Sequence, residues 1–600
     1  MAVETLVRPP AGAAAGAATG EDATEEPLVR PPDDTEFGWY LGPQRRWVQL
    51  LSMVAFGLAA TSLVRFAMHS PWLYPLIVGL AISATALVLS MLSGLRRRRD
   101  TRRSHRAKVQ AWEARTAGQP LPSVDVFLPT AGEPLEVLRN TYTYVARMEW
   151  RGRLEVWVLD DGARDEVRAL AEEFGFRYRV REDRPHLKKA GNLRSAFAQS
   201  DGDFIVVLDA DFVPRHDFLR HTVPYMDDPG VGIVQTPQFF ATRPEMNWLE
   251  RTAGATQELF YRWVQPSRDK SGAPICVGTC AVYRRAALDA AGGFAEIEHS
   301  EDVHTGITLT LHGSRVRYVP VLVSRGLCPD DLSGFLNQQY RWCNGSMSLL
   351  KSGRANHRPL SVPQRIAFWS GFFYYISTAV MVFLLHLPGA IMAIWFPTEV
   401  RAEHYIPFLA GAWIYFVLMP RMMHSHWRFE VLRVQMAYSF CHALAIVHNL
   451  LGRSVGWVPT GAVGRKSTLA SSISRLGLVA ITVTVAASWI AWAYDVHLYG
   501  LSEFWAMGLF LAGYTYLALP LAWEFLKIAS RDLPKPRPED LRRTADGLKQ
   551  AGHAAAELGR HTAAMGRLFI APNPANLARV SERVMARGQL QLTRGPEREG

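Results

Sequence analysis

Long, almost uncharged stretches are the feature of this chain that most restricts its fold. Two of them precede residue 100 and four follow residue 370: Trp47–Met68, Pro71–Leu95, Tyr375–Phe396, Ile406–Met419, Leu476–Ala493 and Phe504–Leu526. Most have about the 20 residues that an α-helix needs to cross the hydrocarbon core of a bilayer. Because backbone polar groups in lipid must be paired internally, such stretches are expected to be helical. The sequence therefore predicts about six membrane crossings.

Basic residues indicate which side of the membrane each flank occupies. Of the 600 residues, 66 are Lys or Arg and 55 are Asp or Glu, a net charge of +11. Four consecutive arginines, Arg96–Arg99, directly follow the second apolar stretch, and the loop between the fourth and fifth stretches is also basic. Basic flanks stay on the cytoplasmic side, which predicts cytoplasmic termini and a cytoplasmic segment between the second and third crossings. A basic excess could also indicate nucleic acid, but its position at membrane flanks argues against that partner.

The chain divides into five parts by texture. Residues 1–45 are rich in Ala, Gly, Pro and acidic residues, contain Leu-Val-Arg-Pro-Pro twice (Leu6–Pro10 and Leu28–Pro32), and are predicted to be a disordered cytosolic tail. The other parts are two membrane helices (46–96), a soluble α/β domain (120–352), interfacial and four membrane helices (360–526) and a basic cytosolic tail (527–600). Ile366–Tyr374 and Val434–Leu451 are predicted to lie at the membrane interface.

Short apolar runs alternate with helical patterns in the soluble domain. The candidate strands are Val124–Leu128, Leu154–Leu159, Phe204–Leu208 and Gly232–Gln235. Strands interleaved with helices predict a mostly parallel sheet, whose ligands bind at the carboxyl ends of the strands.

Three of these strands end in polar residues. The third ends in Asp209 and Asp211, which point to the same side of an extended chain and offer the carboxylate oxygens that Mg²⁺ prefers. The second ends in Asp160-Asp161-Gly162, and the first runs into Thr130-Ala131-Gly132-Glu133. Each alone could be an ordinary turn with a helix cap, but together they indicate a nucleotide-binding crevice.

Three helical positions carry further candidates. Lys189 lies in Lys188-Lys189-Ala190-Gly191-Asn192, where an ammonium beside helix amides suits a phosphate, although a solvated basic helix start is the alternative. Asp302, after Glu301, could be a general base, or both could simply be favourable charges at a helix N-terminus.

The third position is Gln338-x-x-Arg341-Trp342, which places the three named residues on one helix face. Such a face can hold a diphosphate and a sugar ring, or it can pack on protein.

The five cysteines are scattered and show no paired Cys-x-x-Cys spacing, so neither a disulfide framework nor a zinc site is expected.

In this order, together with Gly278-Thr279 and Ser300-Glu301-Asp302, these motifs resemble those of family 2 glycosyltransferases of the cellulose synthase type, which include bacterial cellulose, curdlan and hyaluronan synthases. The resemblance covers roughly Trp47 to Leu526. It implies a GT-A-type nucleotide-sugar domain inserted between membrane helices.

The resemblance also implies roles for individual residues. UDP-sugar binding falls to Thr130, Glu133, Asp160, Asp161, Lys189, Asp209 and Arg341. Asp209 and Asp211 would hold Mg²⁺ or Mn²⁺, and Asp302 beside Glu301 would be the catalytic base. Acceptor binding falls to Gln338, Trp342, Gly278 and Thr279, and residues 453–466, with Trp457 and Thr460, resemble a gating loop. Two departures are Ser300, where the family usually has Thr, and Ile275-Cys276-Val277, where it has Phe-Phe-Cys.

The function that the resemblance implies is a processive, inverting transferase that polymerises a β-glucan from UDP-glucose at the plasma or inner membrane. Its expected partners are the UDP-sugar donor, the growing β-glycan acceptor, the lipid bilayer and an accessory export subunit. The glycan is expected to thread past membrane-helix aromatics, which could instead be interfacial anchors: Trp369, Phe372, Phe373, Tyr374, Tyr375, Trp413 and Tyr415. The alternatives are a non-processive, lipid-directed transferase, a polymerase of another UDP-sugar (curdlan, mixed-linkage or hyaluronan-like), and a transporter or scaffold with a non-catalytic nucleotide domain.

Overall fold

The structure is a computed structural model that describes residues 27–42, 47–68, 71–94, 100–240, 246–384, 387–423, 429–453 and 467–531. Among these residues, four α-helices precede the α/β domain: α1 (Asp34–Phe37), α2 (Trp47–Ala67), α3 (Pro75–Gly94) and α4 (Arg102–Arg115). The side chain of Asp33 accepts hydrogen bonds from two amides of α1, and Thr101 caps α4 in the same way. Polar side chains thus begin both helices by pairing amides that lack a helical partner.

Ten strands form two sheets in the domain. They are β1 (Val124–Thr130), β2 (Leu154–Asp160), β3 (Arg177–Arg179), β4 (Phe204–Val207), β5 (Phe212–Pro214), β6 (Val231–Gln235), β7 (Phe239–Phe240), β8 (Ala281–Arg284), β9 (Arg315–Tyr318) and β10 (Ser324–Gly326). The larger sheet has the order β3-β2-β1-β4-β8-β6-β9 and the smaller one β5-β10-β7. All four predicted strands are confirmed to within two residues.

The larger sheet is mostly parallel, as predicted, with one antiparallel strand. Strand β8 runs antiparallel to both of its neighbours, β4 and β6. The residues before β8 cross the carboxyl edge of the sheet, so β8 starts opposite the end of β4, with Ala281 paired to Val207. This reversal brings the loop before β8 to the edge where ligands of such sheets bind.

Helices cover both faces of the larger sheet. Helices α5 (Leu135–Val145) and α6 (Asp165–Glu173) pack on one face, and α7 (Lys188–Phe197) and α11 (Arg285–Ala291) pack on the other. The other helices of the domain are α8 (Phe218–Thr222), α9 (Trp248–Leu259), α10 (Gln265–Lys270), α12 (Glu301–Leu311) and α13 (Leu332–Lys351). Every residue of β1, β4 and β6 is buried, as expected for strands covered on both faces. A π-helical segment, Phe260–Val264, joins α9 to α10.

The remaining helices are α14 (Val362–Leu384), α15 (Leu387–Trp395), α16 (Ala402–Trp413), α17 (Met419–Met423), α18 (Val431–Leu450), α19 (Thr468–Tyr499) and α20 (Leu501–Ser530). Within the described residues, six segments are long and apolar enough to cross a membrane, in agreement with the prediction: Leu50–Ala67, Pro75–Ser93, Val362–Trp395, Ala402–Met422, Thr468–Tyr499 and Leu501–Ser530. The stretch Ile366–Tyr374 is continuous with the apolar part of α14, and its interfacial position stays a prediction. Helix α18 is not one of the six and packs against α13 and α14.

Two prolines interrupt membrane helices, and a neighbouring arginine compensates each. Pro407 lacks an amide hydrogen, and the carbonyl of Glu403, four residues before it, accepts from Arg65 Nη1 of α2 at 3.0 Å. Pro520 leaves carbonyls free in the same way, and Arg433 of α18 donates to Tyr516 O and Leu517 O, both at 3.1 Å. Unpaired carbonyls are costly away from water, so these arginines permit the two prolines.

Residues 27–42 differ from the predicted disordered tail, because they lie against the α/β domain. Val29 and Tyr40 are 3% and 2% exposed. The apolar residues lie mainly at the end of the tail, in Phe37–Leu41, and the average composition of residues 1–45 therefore misses them. The first Leu-Val-Arg-Pro-Pro copy, Leu6–Pro10, and the tail from residue 532 on lie outside the described residues.

Candidate active site

The predicted site residues meet around one cavity of about 2360 Å³. Its wall is made by the carboxyl ends of β1, β2 and β4, the start of α12 and one face of α13. The predicted residues that line it are Thr130, Glu133, Asp161, Lys189, Asp209, Asp211, Glu301, Asp302, Gln338, Arg341 and Trp342. Asp160, Gly278 and Thr279 lie behind this wall, and Trp457 and Thr460 fall outside the described residues.

Glu133 shapes the loop after β1. One of its carboxylate oxygens accepts hydrogen bonds from the Thr130 hydroxyl at 2.5 Å and from the amides of Ala131 and Gly132 at 2.8 and 3.0 Å. The carbonyl of Thr130 accepts from the amide of Asp161 at 2.9 Å, which ties this loop to the end of β2. The two strand ends therefore form one connected rim.

The two aspartates after β2 have different positions. Asp160 has no exposed surface, and its oxygens accept from the amides of Gly162 and Arg164, both at 2.8 Å, and from Tyr178 Oη at 3.0 Å. It therefore shapes the turn, whereas the neighbouring Asp161 lines the cavity. Arg181 donates two hydrogen bonds of 2.7 Å to Asp161. Arg181 belongs to no motif that we singled out in the sequence, because only the folded loop after β3 brings it here.

Lys189 connects three parts of the site. Its ammonium donates to the Asp209 carboxylate and, at 2.9 Å, to the carbonyl of Gly278, and it lies 3.8 Å from Glu301. Burial lowers the pKa of Lys189, but the carboxylates of Asp209 and Glu301 outweigh burial and raise it. The side chain is therefore a positive charge at the centre of an acidic site.

The turn with Asp209 and Asp211 is held from two sides. Its first amide, that of Asp209, donates to Thr279 Oγ1 at 2.8 Å, and its middle carbonyl, that of Ala210, accepts from Thr141 Oγ1 at 2.7 Å. Burial and the charge of Asp209 raise the pKa of Asp211 to about 7. A divalent cation would relieve this repulsion, and the oxygen donors suit Mg²⁺ or Mn²⁺.

No group of three or more His, Cys, Asp or Glu that could hold a metal occurs in the part of the chain that the structure describes. Two carboxylates are too few to complete the coordination of Mg²⁺, which usually keeps waters or takes substrate phosphates. The residues present therefore fit a cation that arrives with a phosphate ligand.

Asp302 lies in the first turn of α12. Its Oδ1 accepts from the amide of Val303 at 2.8 Å, and Ser300, which precedes the helix, has φ 59°. Burial and the charge of Glu301 raise the pKa of Asp302 to about 7, although Lys189 opposes the shift. A carboxyl with a pKa near neutrality can accept a proton effectively.

Gln235, at the end of β6, is a site residue that the sequence analysis missed. Its side chain is fully buried; Oε1 accepts from the amide of Val277 at 2.9 Å, and Nε2 donates to the carbonyls of Thr236 and Thr279, both at 2.8 Å. It therefore sets the shape of the loop before β8, which contacts both Asp209 and Asp302. The only sequence signal was a polar residue at the end of an apolar strand.

The motif on α13 presents one face to the cavity, as predicted. Gln338, Arg341 and Trp342 are half-buried and line it, whereas Tyr340 and Cys343 are buried and do not. Burial lowers the pKa of Arg341, and the nearby carboxylates of the site oppose that shift. The face thus places a cation and an aromatic ring opposite the acidic strand ends.

The same cavity continues between the membrane helices. Residues of α2, α3, α14, α16, α18 and α20 line this part. Of the aromatic side chains predicted to face a glycan, Tyr374, Tyr375, Trp413 and Tyr415 do line it. Trp369, Phe372 and Phe373 do not, because they turn to the opposite side of α14, where Trp369 donates to Asn356.

Sequence comparison gives several matches. The family model described as glycosyl transferase family group 2 matches residues 204–424. The UDP-forming cellulose synthase catalytic subunit of Xanthomonas axonopodis pv. citri is 35% identical over 262 residues, which are 42% of this chain and 36% of that protein. That of Pseudomonas fluorescens is 36% identical over 243 residues, 40% of this chain and 33% of that protein. The alignments thus span about a third of each relative's length.

Among solved structures, a mannosyltransferase from Pyrobaculum calidifontis in complex with GDP-mannose and Mn²⁺ is similar, with 18% identity and a TM-score of 0.43, over 62% of this chain and 100% of that one. The mixed sheet, with nucleotide-type loops at its carboxyl edge, is of the GT-A type. Residues 204–424 therefore match a family 2 glycosyltransferase domain, and about 40% of the chain is similar to cellulose synthase catalytic subunits.

Proposed function

We propose that this chain is a UDP-sugar-dependent membrane synthase that extends a β-glycan and passes it across the bilayer. The observation that carries the proposal is the continuous cavity, which begins at the acidic strand ends and extends between the membrane helices. A transferase with a water-soluble acceptor that stayed on one side of the membrane would have no need of that extension.

The donor would lie along the rim made by β1, β2 and β4. Thr130, Glu133 and Asp161 surround the nucleoside end, and Lys189 and Arg341 are the cations available to its diphosphate. Asp209 and Asp211 would hold Mg²⁺ or Mn²⁺, which neutralises the charge of the departing UDP.

Asp302 would accept the proton of the acceptor hydroxyl. The oxygen of that hydroxyl attacks the anomeric carbon from the face opposite UDP, the bond from this carbon to the UDP oxygen breaks, and the configuration inverts. Lys189 and Arg341 stabilise the negative charge that develops on the leaving oxygen. Gln338 and Trp342 would hold the acceptor end, the Trp ring against the apolar face of a sugar.

Glucose is the sugar we propose, because the curated relatives are cellulose synthases that release UDP. The product would be a cellulose-like β-glucan that passes Tyr374, Tyr375 and Trp413. In this arrangement the catalytic domain and both termini are cytoplasmic, the membrane is the plasma or inner membrane, and an accessory subunit could receive the glycan outside.

The test uses the full-length protein in lipid vesicles with radiolabelled UDP-glucose and Mn²⁺. We expect metal-dependent UDP release and a long, β-linked polymer, and we expect Asp302→Asn to abolish polymer while UDP still raises the melting temperature. Asp289→Asn, an exposed aspartate on α11, is the matched control and should behave as the wild type. A product of one sugar on a lipid would favour the non-processive alternative, and absence of metal-dependent UDP release would contradict the proposal.

A further inference from the structure

The segment before the first membrane helix, residues 27–42, is here called the N-terminal strap. It contains the second Leu-Val-Arg-Pro-Pro copy, in which Val29 and Pro32 are buried and Arg30 is exposed. Residues 43–123 separate the strap from β1, yet the strap lies along the catalytic domain. Its contacts lie on both sides of the turn that carries Asp209 and Asp211.

The first contact is on α5. Asn140 Nδ2 donates to the carbonyl of Val29 at 3.1 Å. The next residue of the same helix, Thr141, donates its hydroxyl to the carbonyl of Ala210 at 2.7 Å. Adjacent residues of one helix therefore hold the strap and the middle of the Asp209-Ala210-Asp211 turn.

The second contact is at the exit of that turn. Strand β5 begins directly after Asp211, and Arg215 follows it with a side chain that is 8% exposed. Arg215 Nη1 donates to the carbonyl of Pro32 at 2.8 Å, and the guanidinium lies 5.3 Å from the centre of the Phe37 ring. Arg215 also pairs with Asp34, but that carboxylate is 94% exposed, so this ion pair contributes little.

The third contact is with the other two strands of the smaller sheet. Glu36 pairs with Arg325 of β10, and the carbonyl of Phe37 accepts from the amide of Leu322 at 3.0 Å. The rings of Trp39 and Tyr40 pack edge-on against Phe239 of β7. The strap thus touches β10, β7 and the end of β5.

We propose that the N-terminal strap is a positioning element for the turn that carries Asp209 and Asp211. The turn leaves the larger sheet at β4 and continues into β5, a strand of three residues whose sheet partner is β10. So short a strand is weakly held by its own hydrogen bonds. Helix α5 packs on it, and the strap adds Leu41 and Phe37 to the apolar cluster that contains Phe212. The inference rests on the proposed function, since it assigns the strap to the cation- and UDP-binding turn of that site.

The substitution Phe37→Ala in the full-length protein distinguishes a strap that positions the turn from a strap that only stabilises the fold. We expect the half-saturating Mn²⁺ concentration for UDP release to rise about fivefold, as loss of one well-packed contact would give, with kcat at saturating Mn²⁺ changed by less than about twofold. We also expect faster amide hydrogen exchange over residues 209–214 in the protein without ligand, a measurement that needs no activity. Phe37→Leu keeps an apolar side chain, so its Mn²⁺ dependence and its amide exchange over residues 209–214 should be close to those of the wild type.

Two matched variants complete the test. Asp34→Asn should leave both measurements at the wild-type level, because its ion pair is exposed. Arg139→Ala removes an exposed pair with Glu173 from the same helix α5 and should also have no effect. If Phe37→Ala lowers the melting temperature but keeps wild-type Mn²⁺ dependence and exchange over 209–214, the strap has no positioning role. If the wild type itself neither binds nor releases UDP, the proposed function fails, and the exchange measurement still decides the strap's effect on the turn.

Discussion

Gly278 lies directly against the carboxyl group of Asp302. A Cβ atom on Gly278 would be 3.0 Å from Asp302 Oδ2 and 3.1 Å from its Cβ, closer than side chains normally approach. The residue also has φ 76°, a left-handed conformation that disfavours any side chain. Its carbonyl meanwhile accepts a hydrogen bond from Lys189. One glycine therefore sets the position of the candidate base relative to the central lysine.

Gly278→Ala is expected to lower the rate of glycan transfer by roughly 10- to 100-fold, because even small displacements of a reacting group cost rates of that order. UDP binding should change little, since the rim that holds the nucleoside is formed elsewhere. The measurement is kcat for UDP release together with thermal stabilisation by UDP.

Gly292→Ala is the matched control for this substitution. Gly292 has φ 84° but nothing within 4 Å of its Cβ position, so it carries the backbone strain without the contact. Equal losses of rate in the two variants would mean that strain, and not the position of Asp302, limits the enzyme.

The rate should depend on pH through Asp302. Its pKa is raised to about 7 by burial and Glu301, and only the ionised form can accept a proton. Below pH 7 the protonated form dominates, so kcat/KM, which reports the free enzyme, should rise with pH and level off above about 7. The check is a pH profile of UDP release between pH 5 and 9 on wild type and Asp289→Asn, which should coincide. A profile that is flat between pH 5 and 8 would remove Asp302 from the role of base.

Gly345 of α13 packs on Ser300, the residue that precedes α12. An added Cβ would overlap the Ser300 side chain, so Gly345→Ala should push apart the helices that carry Arg341 and Asp302. We expect a loss of about 1–3 kcal/mol in unfolding free energy, as overpacking typically costs, and a slower transfer rate.

Ser300→Gly should rescue Gly345→Ala, because it removes the overlapping atoms and a glycine tolerates the φ of 59° found there. Melting temperatures and UDP release of the two single variants and the double variant test this. A double variant no better than Gly345→Ala alone would show that the contact does not limit the spacing of the two helices.

Arg433 should stabilise the protein, because it donates hydrogen bonds to carbonyls that Pro520 leaves without a helical partner. Arg433→Leu leaves Tyr516 O and Leu517 O without that donor, at a cost of about 1–3 kcal/mol. Pro520→Ala restores an amide to the helix, so Arg433→Leu should cost at least about 1 kcal/mol less in that background. Thermal unfolding in nanodiscs measures the cycle, with Lys527→Leu near the end of α20 as the control. Equal costs in both backgrounds would show that Arg433 acts through other contacts.

Local patterns were sufficient for the membrane segments and the strand ends. A long uncharged run must be buried in lipid or protein wherever it falls, and Asp209 and Asp211 follow an apolar run whose strand character is visible in six residues. Gln235 and Arg181 were missed because each acts on a segment distant in the chain, and nothing in its own neighbourhood marks it. Asp160 and Asp161 are adjacent in one acidic motif, and nothing in the sequence distinguishes them. The fold buries Asp160 and places Asp161 in the cavity wall.

The sequence by itself determined which segments are helices in a membrane, which are strands of an α/β domain and which family the motifs resemble, because hydrophobic length, periodicity and ordered motifs are properties of the chain itself. The tertiary structure alone decided the direction of β8, the contact between Gly278 and Asp302, the packing of the N-terminal strap and the pairing of Arg433 with carbonyls near Pro520. These depend on which distant segments meet, and that is settled by the packing of the whole molecule.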